Sequence, residues 1–291
     1  MVKIGKGTRA ITLNMKTTNW SDFPHDGSAY DYSRDQIEKL WPELHAGDRE
    51  PFPDAERIKQ LVGKDGDATA AASTLLDAWR AFHRGDFAQA VDLADSLGLP
   101  GHAVANKACG IYADYLEDDE AVKQSIYKGG IERAEQAIEA FPEDANAHYF
   151  HAFLLGRYSQ CISVTKALTQ GMGGKIRKSL ERALELSPEH AEAHTAMGLY
   201  HAEIIDKVGR MVGSMTYGAN PDKAMKHFDR ALELTPEAPI ARLEYGNGIY
   251  MLFGDKRLDE SNEAYVKAAG LEPRDAMERL DVEYARSSIE G

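Results

Sequence analysis

The residues of this chain best suited to chemistry are histidines at helical spacing. His148 and His151 lie three positions apart, His190 and His194 lie four apart, and His201 follows His194 by seven. Histidines at i, i+3 or i, i+4 share one helix face and can bind zinc through their ring nitrogens. An imidazole can also fill the place of a bulky packing side chain. We favour packing over metal binding for all of them, and we expect no cofactor.

Two other segments approach known catalytic or phosphate-binding patterns. Residues 171–175 read Gly-Met-Gly-Gly-Lys, but a phosphate-binding loop needs glycine at 169 and Ser or Thr at 176, where Thr169 and Ile176 stand. Residues 117–120 form a run of four acids. General acid–base catalysis needs two carboxylates in distinct, partly buried environments, which a consecutive exposed run does not provide. We therefore predict that the chain is not an enzyme.

Composition narrows the class of protein further. The 291 residues include 34 Lys and Arg against 47 Asp and Glu, for a formal net charge of −13. Nucleic-acid binding needs clustered basic residues, so no nucleic-acid partner is expected. The chain contains no run of about 18 apolar residues, so membrane insertion is not expected. The first twenty residues lack the apolar centre of a secretory signal. With two cysteines, Cys109 and Cys161, no disulfide framework is indicated, and we expect a cytoplasmic protein.

One repeated block indicates how the chain is organised. Residues 183–188 read Ala-Leu-Glu-Leu-Ser-Pro, and residues 231–236 read Ala-Leu-Glu-Leu-Thr-Pro, 48 positions later. An alanine stands five positions before Pro142, Pro188 and Pro236, and a very small residue stands ten positions after each. Small residues at fixed places let paired helices approach closely, and proline ends the second helix of each pair.

These anchors resemble the tetratricopeptide repeat family, in a form with lengthened repeats, over about residues 68–273. The resemblance implies an all-α fold, a right-handed superhelical solenoid of about five helix pairs with a C-terminal capping helix. It also implies an interaction scaffold. We divide the chain into an N-terminal arm with short helices, residues 1–66, and a helical repeat domain, residues 67–291.

The N-terminal arm changes character along its length. Its first 21 residues have a charge of +4 with no acid, and residues 11–15 are predicted to form a short extended segment. Residues 63–67 read as a linker. Farther on, side chains that need burial favour docking of the arm on its own chain over a disordered tail or an arm that reaches another subunit. They are Tyr30, Tyr32, Leu40 and Trp41.

The repeats are longer than the 34 residues of a minimal repeat, and the excess lies between the first and second helix of each pair. All insertions are therefore expected on one edge of the solenoid. In repeats three and four the inserted residues are apolar at helical spacing and are interpreted as prolonged first helices. We favour their packing as additional core over a methionine-rich rim that binds a ligand or peptide. The rim would include Met211, Met215 and Tyr217.

The resemblance also predicts which side chains face the concave side of the solenoid, where an extended or helical segment could bind. They are Tyr149, Phe153, Arg157, Leu199, Glu203, Asn247 and Tyr250. The N-terminal arm is an alternative occupant of this groove. We predict a non-enzymatic scaffold or adaptor that binds a protein or peptide. The alternative is a small apolar ligand or solute held by the prolonged helices of repeats three and four. The oligomeric state is not predicted.

Overall fold

The computed structural model describes residues 17–62 and 67–290, and within these ranges every regular element is a helix. The predicted all-α fold class is confirmed. Residues 1–16, which include the expected extended segment, and residues 63–66 of the expected linker lie outside the described residues. The α-helices in chain order are α1 (Arg34–Leu44), α2 (Ala55–Val62), α3 (Ala68–His83), α4 (Phe87–Leu97), α5 (His102–Tyr115), α6 (Glu120–Ala140), α7 (Ala145–Gln160), α8 (Val164–Thr169), α9 (Met172–Leu186), α10 (Ala191–Val208), α11 (Arg210–Tyr217), α12 (Pro221–Leu234), α13 (Pro239–Phe253), α14 (Leu258–Ala269) and α15 (Ala276–Glu290).

Short polar side chains begin many of these helices. The carboxylates of Asp67, Asp86, Asp119 and Asp144 accept backbone N–H groups in the first turns of α3, α4, α6 and α7. The side chain of Asn220 does the same for α12. Each bond satisfies a donor that has no partner inside its helix, which typically stabilises the fold by about 1 kcal/mol.

Helices from α3 onward pack in sequential pairs. The neighbouring pairs are α3 with α4, α5 with α6, α7 with α9, α10 with α12, and α13 with α14. The small residues allow this close packing, because a Cβ at Gly198 would lie 2.7 Å from the Phe228 ring and one at Gly246 would lie 2.9 Å from the Tyr265 ring. None of the described helices is both long and apolar enough to span a bilayer.

The expectation of prolonged first helices is wrong for repeat three. Helix α7 ends at Gln160, and Ser163 then accepts the backbone N–H of Lys166 and begins the separate helix α8. In repeat four α10 does continue to Val208, but Gly209, at a φ of 81°, ends it. That backbone conformation strongly favours glycine, so the chain turns there and starts α11. The insertions therefore form two additional short helices.

Residues 17–62 lie against the paired helices. The Trp41 ring of α1 packs edge-on against Trp79 of α3, with ring centroids 6.0 Å apart, and its indole N–H donates to the Glu50 carbonyl at 2.8 Å. Ile37 and Ile58 are fully buried. These contacts bury large apolar side chains of the segment. The division of the chain at residues 66 and 67 stays a prediction.

A buried ionic cluster joins this segment to the paired helices. The Lys107 ammonium of α5 lies 2.6 Å from the Asp48 carboxylate and 2.8 Å from the Glu192 carboxylate of α10. His45 contacts Asp48 through Nδ1 at 2.9 Å. Burial lowers the pKa of Lys107, but the two carboxylates outweigh it and raise that pKa above its usual value. Three segments that are distant in sequence are thus held at one point.

The C-terminal helix returns to the beginning of the chain. Helix α15 contacts α13 and α14 and also reaches α3. Just before it, Asp275 lies 2.8 Å from the Nδ1 atom of His83, and the Tyr32 hydroxyl donates to the Arg274 carbonyl at 2.6 Å. The Tyr115 hydroxyl donates to the Asp281 carboxylate. Helix α15 therefore packs against the last helix pair, and it and the residues just before it also contact residues from the first part of the chain.

Replacing Lys107 with methionine is expected to destabilise the fold by about 3 to 5 kcal/mol, because Asp48 and Glu192 would remain buried without a counter-charge. Urea-induced unfolding followed by circular dichroism measures this loss. Lys39→Met is the control, since Lys39 is exposed on α1 and should change the free energy of unfolding by less than about 0.5 kcal/mol. Equal effects of the two substitutions would contradict a structural role for the cluster.

Candidate functional site

A cavity of about 250 Å³ opens between α5, α7, α8, α9 and α10. Its walls run from Leu180, which is fully buried, to Val164 and Leu168, which are 41% and 36% exposed and mark the mouth. Most of the lining is apolar, as in pockets that bind small molecules or anchor side chains. Representative lining residues are Ile111, Phe153, Met172, Ile176, Leu199 and Ile204.

The two inserted segments contribute to the mouth of this cavity. Val164 and Leu168 of α8 line it, as do Ile204 and Val208 at the end of α10. Helix α7 stops at Gln160, so the lining side chains of the insertion in repeat three belong to the separate helix α8 and not to a prolonged α7. The residues of α11 are not among those that line the cavity.

The exposed methionines do not pack as additional core. Met211 is 74% exposed, Met215 is 83% exposed and Val212 is 47% exposed, all on α11. Gly213, on the opposite side of this helix, is buried and an added Cβ would lie 3.3 Å from the Ile204 side chain. Helix α11 therefore sits with its small residue inward and its methionines outward.

A charged cluster lies at one side of the cavity. The Arg157 guanidinium is 3.1 Å from Asp114 and 3.0 Å from Glu244, and it stacks over the Phe153 ring. Burial lowers the pKa of Arg157, but the two carboxylates raise it well above its usual range. Asn247 donates to the same Glu244 carboxylate at 2.9 Å. Arg157 is therefore held in place by protein groups.

The structure brings half of the predicted binding residues together and separates the others. Tyr149, Phe153, Arg157, Leu199 and Glu203 all line the cavity. The other five predicted residues lie outside it: Asn247, Tyr250, Met211, Met215 and Tyr217.

These five residues have varied surroundings. Tyr250 is 52% exposed on α13. Asn247 accepts a hydrogen bond from the Tyr265 hydroxyl at 2.5 Å. The Tyr217 carbonyl accepts the Tyr200 hydroxyl at 3.0 Å. A binding role for any of the ten residues stays a prediction.

Helix α9 contributes lining residues that the concave-face pattern missed. Met172, Ile176 and Leu180 all line the cavity, and they recur at intervals of four residues. This spacing marks one apolar helix face, so periodicity could have revealed them. Glu244 gave no comparable signal, because its proximity to Arg157 depends on how α13 packs against α10.

The histidines contact other protein groups. His148 contacts the Pro142 carbonyl at 2.9 Å, and His151 contacts the Ser179 hydroxyl at 2.8 Å. His194 lies 2.9 Å from the Nδ1 atom of His227, whose ring is also near His201. In the part of the chain that the structure describes, no group of three or more His, Cys, Asp or Glu residues is arranged to hold a metal ion.

His190 is held in its neutral form by two hydrogen bonds. Its Nδ1 atom accepts the Ala193 backbone N–H at 3.1 Å and caps α10, while Nε2 lies 2.9 Å from the Asn146 amide oxygen. Nδ1 is thus the acceptor and Nε2–H the donor. Burial lowers the pKa of His190 to about 4. Protonation would remove the acceptor that begins the helix.

Comparison with known proteins identifies the family of this chain. The model of a family described as Regulator of microtubule dynamics protein 1-3 matches residues 103–274. The chain belongs to this family. All cavity-lining residues except Met277 lie in the matched range. The site is therefore part of the segment that defines the regulator of microtubule dynamics family.

Three relatives are named Regulator of microtubule dynamics protein 3. The protein from Rattus norvegicus is 27% identical over 151 residues, covering 49% of this chain and 32% of the relative. The Bos taurus protein is 27% identical over 43% of this chain and 28% of its own length. The Mus musculus protein is 27% identical over 48% of this chain and 30% of its own length. The chain thus spans about a third of the length of these relatives.

The family match corrects the assignment to the tetratricopeptide repeat family, which is wrong. The residues used for that assignment were small side chains at helix crossings and prolines after helix ends. Any protein built from closely packed helix pairs needs such residues at those places. They indicate how helices pack and do not distinguish one helical family from another.

Replacing Arg157 with leucine is expected to lower the free energy of unfolding by about 3 kcal/mol, because Glu244 would be left buried without its partner. The control is Arg182→Leu. Among the described residues, Arg182 pairs only with the exposed Glu143 and Glu185, so its loss should cost less than about 0.5 kcal/mol. Urea unfolding at neutral pH compares the two. A loss for Arg157→Leu as small as that of the control would contradict this account.

Acidification between about pH 6.5 and pH 4 is expected to remove the stability that the neutral, buried His190 contributes. The unfolded chain has a histidine pKa of about 6.5, whereas that of His190 in the folded state is about 4. The unfolded state therefore binds more protons in this window, and each such histidine lowers stability by up to about 1.4 kcal/mol per pH unit. The contribution is fully present above pH 6.5 and is lost as the pH falls to 4.

The variant His190→Asn tests the source of this dependence. Asparagine can cap α10 but does not titrate, so the slope of unfolding free energy against pH should become shallower. A slope remains, because burial also lowers the pKa of His45 to about 4. His25→Asn, which changes a half-buried histidine outside the helices, serves as the control. An unchanged slope in His190→Asn would show that His190 is not responsible.

Proposed function

We propose that this chain is a non-enzymatic adaptor that binds a partner protein through the cavity and acts in the regulation of microtubule dynamics. The cavity is the observation that carries the proposal. Its walls are apolar, it opens at Val164 and Leu168, and the nearby Arg157 and Lys107 are each paired with two carboxylates. Such a site offers contact area and shape, and its cations are already neutralised by the protein.

The names of the relatives indicate the process in which we propose that this adaptor acts. Their name makes them regulators of microtubule dynamics, and the family match includes all cavity-lining residues except Met277. Because this chain spans about a third of those relatives, the role of the whole proteins reaches it only as a proposal. Microtubules, or a protein that acts on them, are the first partners to test. With two cysteines in 291 residues the chain does not rely on disulfides, which supports placing it in the cytoplasm.

The paired helices suit such a role. We infer that α3 to α14 form a right-handed superhelical solenoid of about five pairs. We also infer an N-terminal arm over residues 1–66, of which the described residues 17–62 dock on the solenoid, and a repeat domain over residues 67–291. The sequential pairing of helices supports this arrangement. Helical arrays of this kind present extended concave surfaces on which a partner segment can lie. The predicted concave residues Tyr149, Phe153 and Leu199 line the cavity, which supports a groove that continues into it.

An apolar side chain of the partner would act as the anchor. A cavity of about 250 Å³ has room for one large apolar side chain. Burying such a side chain contributes about 1.5 to 3 kcal/mol, and a few such anchors dominate the affinity of protein interfaces. Exposed residues near the cavity, such as Met211, Met215 and Tyr250, would then contribute complementary surface.

A small apolar ligand or solute is the second candidate occupant. The observation that favours it is the position of the cavity between the inserted helix α8 and the end of α10, which encloses it on several sides. A ligand held there would contact Ile162, Leu168 and Val208. Native mass spectrometry of the purified chain separates the two candidates, because it distinguishes a bound organic molecule from a bound protein.

Filling the cavity tests both candidates. A Cβ added at Gly156 meets no atom within 4 Å, and this glycine lines the cavity in the interior of α7. Gly156→Leu should therefore occupy the space and also stabilise the helix by about 1 kcal/mol. The immobilised wild-type chain is expected to retain a partner protein from an extract of the source organism, and Gly156→Leu is expected to lose it.

Ala70→Leu is the matched control. Ala70 is exposed on α3 and does not line the cavity, so this variant adds a leucine away from the site. It should stay folded, as Gly156→Leu does, and retain the partner. Retention of the partner by both variants would refute the cavity as the binding site. A bound organic molecule in wild type and Ala70→Leu that is absent from Gly156→Leu would favour the second candidate.

A further inference from the structure

Positive charge is concentrated in the segments that surround the mouth of the cavity. Residues 145–180 contain no Asp or Glu but five Lys or Arg, in a chain whose net charge is −13. Residues 207–221 likewise contain no acid and carry Lys207 and Arg210. The chain as a whole has more acids than bases, so these two segments differ from their surroundings.

The two segments meet in the folded protein. The Arg177 guanidinium of α9 donates to the carbonyl of Tyr217, at the end of α11, at 3.3 Å. A Cβ added at Gly173 would lie 3.2 Å from the Tyr217 ring. Residues 163–178 and 207–217 therefore form one surface, which we call the cationic rim. Val164 and Leu168 belong to it and line the cavity mouth.

Several cations of the rim are available to a partner. Lys166, Lys175, Lys178 and Arg210 are exposed, and none forms an ion pair with any residue in 17–62 or 67–290. By contrast, Lys207 pairs with Glu203, and Arg177 pairs with Glu181.

Exposed apolar side chains stand among these cations. Met211, Val212 and Met215 project from α11, and Val164 and Leu168 from α8. Methionine is flexible and polarisable, so it adapts to partner surfaces of irregular shape. A surface that combines unpaired cations with such side chains is complementary to a segment that carries both carboxylates and apolar groups.

We propose that the cationic rim binds an acidic amphipathic segment of a partner protein. This inference rests on the proposed function, because an apolar side chain of that segment would enter the cavity. Its carboxylates would meet Lys166, Lys175, Lys178 and Arg210. The chain's own first 21 residues are excluded as the occupant by their charge of +4, which the rim repels.

A protein segment fits this surface better than a membrane does. Helices that lie on membranes present one continuous apolar face, often with Trp and Phe. Here the exposed apolar side chains are Val, Leu and Met, and they are divided between helices of six and eight residues. The cavity behind them also provides a defined socket for one side chain, which a lipid surface does not require.

Two synthetic peptides provide the test. One is a helical peptide of about 18 residues, or five turns, with leucine along one face and glutamate elsewhere, and the other replaces every glutamate with lysine. Fluorescence anisotropy measures binding of each labelled peptide to the full chain. We expect the glutamate peptide to bind, with an affinity that falls as salt is raised, and the lysine peptide not to bind.

Charge reversal locates the binding surface. The double variant Lys175→Glu/Lys178→Glu is expected to weaken binding of the glutamate peptide by about tenfold or more. The matched control Lys39→Glu/Lys226→Glu reverses two exposed lysines outside the rim and should change the dissociation constant by less than about twofold. Circular dichroism confirms that both variants stay folded.

Several outcomes would overturn the proposal. These are failure of the glutamate peptide to bind, equal binding of both peptides, and equal weakening by the control pair. Vesicles of phosphatidylcholine and phosphatidylserine that bind with the same charge dependence, while the glutamate peptide does not, would assign the rim to a membrane. A salt-sensitive dimer that the rim variant abolishes would assign it to a second copy of the chain.

Gly156→Leu separates this proposal from the proposed function. If the glutamate peptide binds this variant as it binds wild type, but does not bind the rim variant, binding at the cationic rim is supported and anchoring in the cavity is refuted. If Gly156→Leu loses binding of both peptides while charge reversal has no effect, anchoring in the cavity is supported and binding at the cationic rim is refuted. Loss of the glutamate peptide in both variants supports both proposals.

Discussion

The buried ammonium of Lys107 is the constraint on which the rest of this structure depends. A charge taken out of water must be paired, and its two partners come from distant parts of the chain, Asp48 before α2 and Glu192 at the start of α10. The arrangement therefore fixes α5, α10 and residues 17–62 relative to one another. His83 and Asp275 continue the polar contacts to the segment before α15. Lys107 and Glu192 also line the cavity, so the same contacts hold residues of α5 and α10 in its wall.

The insertions in repeats three and four form part of the mouth of the cavity and of the surface around it. A break before α8 and a glycine after α10 make each inserted segment turn. Helix α8 lines the cavity with Val164 and Leu168, while α11 packs Gly213 against Ile204 and exposes its methionines. The two insertions thus shape the entrance and carry cations around it.

The pattern of small residues and prolines allowed the helix pairs to be predicted but led to the wrong family. Gly198 and Gly246 are small because aromatic rings of the next helix pack directly against them. That requirement follows from close helix packing and is shared by unrelated helical proteins. Residues that distinguish families lie where a partner or ligand is bound, and a single sequence does not show which these are.

The sequence alone determined the all-α class and the helix pairs, because apolar periodicity and turn residues act locally. Only five of the residues that line the candidate cavity were predicted, and their prediction came from the repeat positions of a family to which the chain does not belong. Only the tertiary structure decided that Arg157 meets Glu244, that Met211 and Met215 stay exposed, and that two acid-free segments meet in one rim. Each of these contacts joins residues from different helices, and their distances depend on how those helices pack. Long-range packing leaves no periodic signal in the chain.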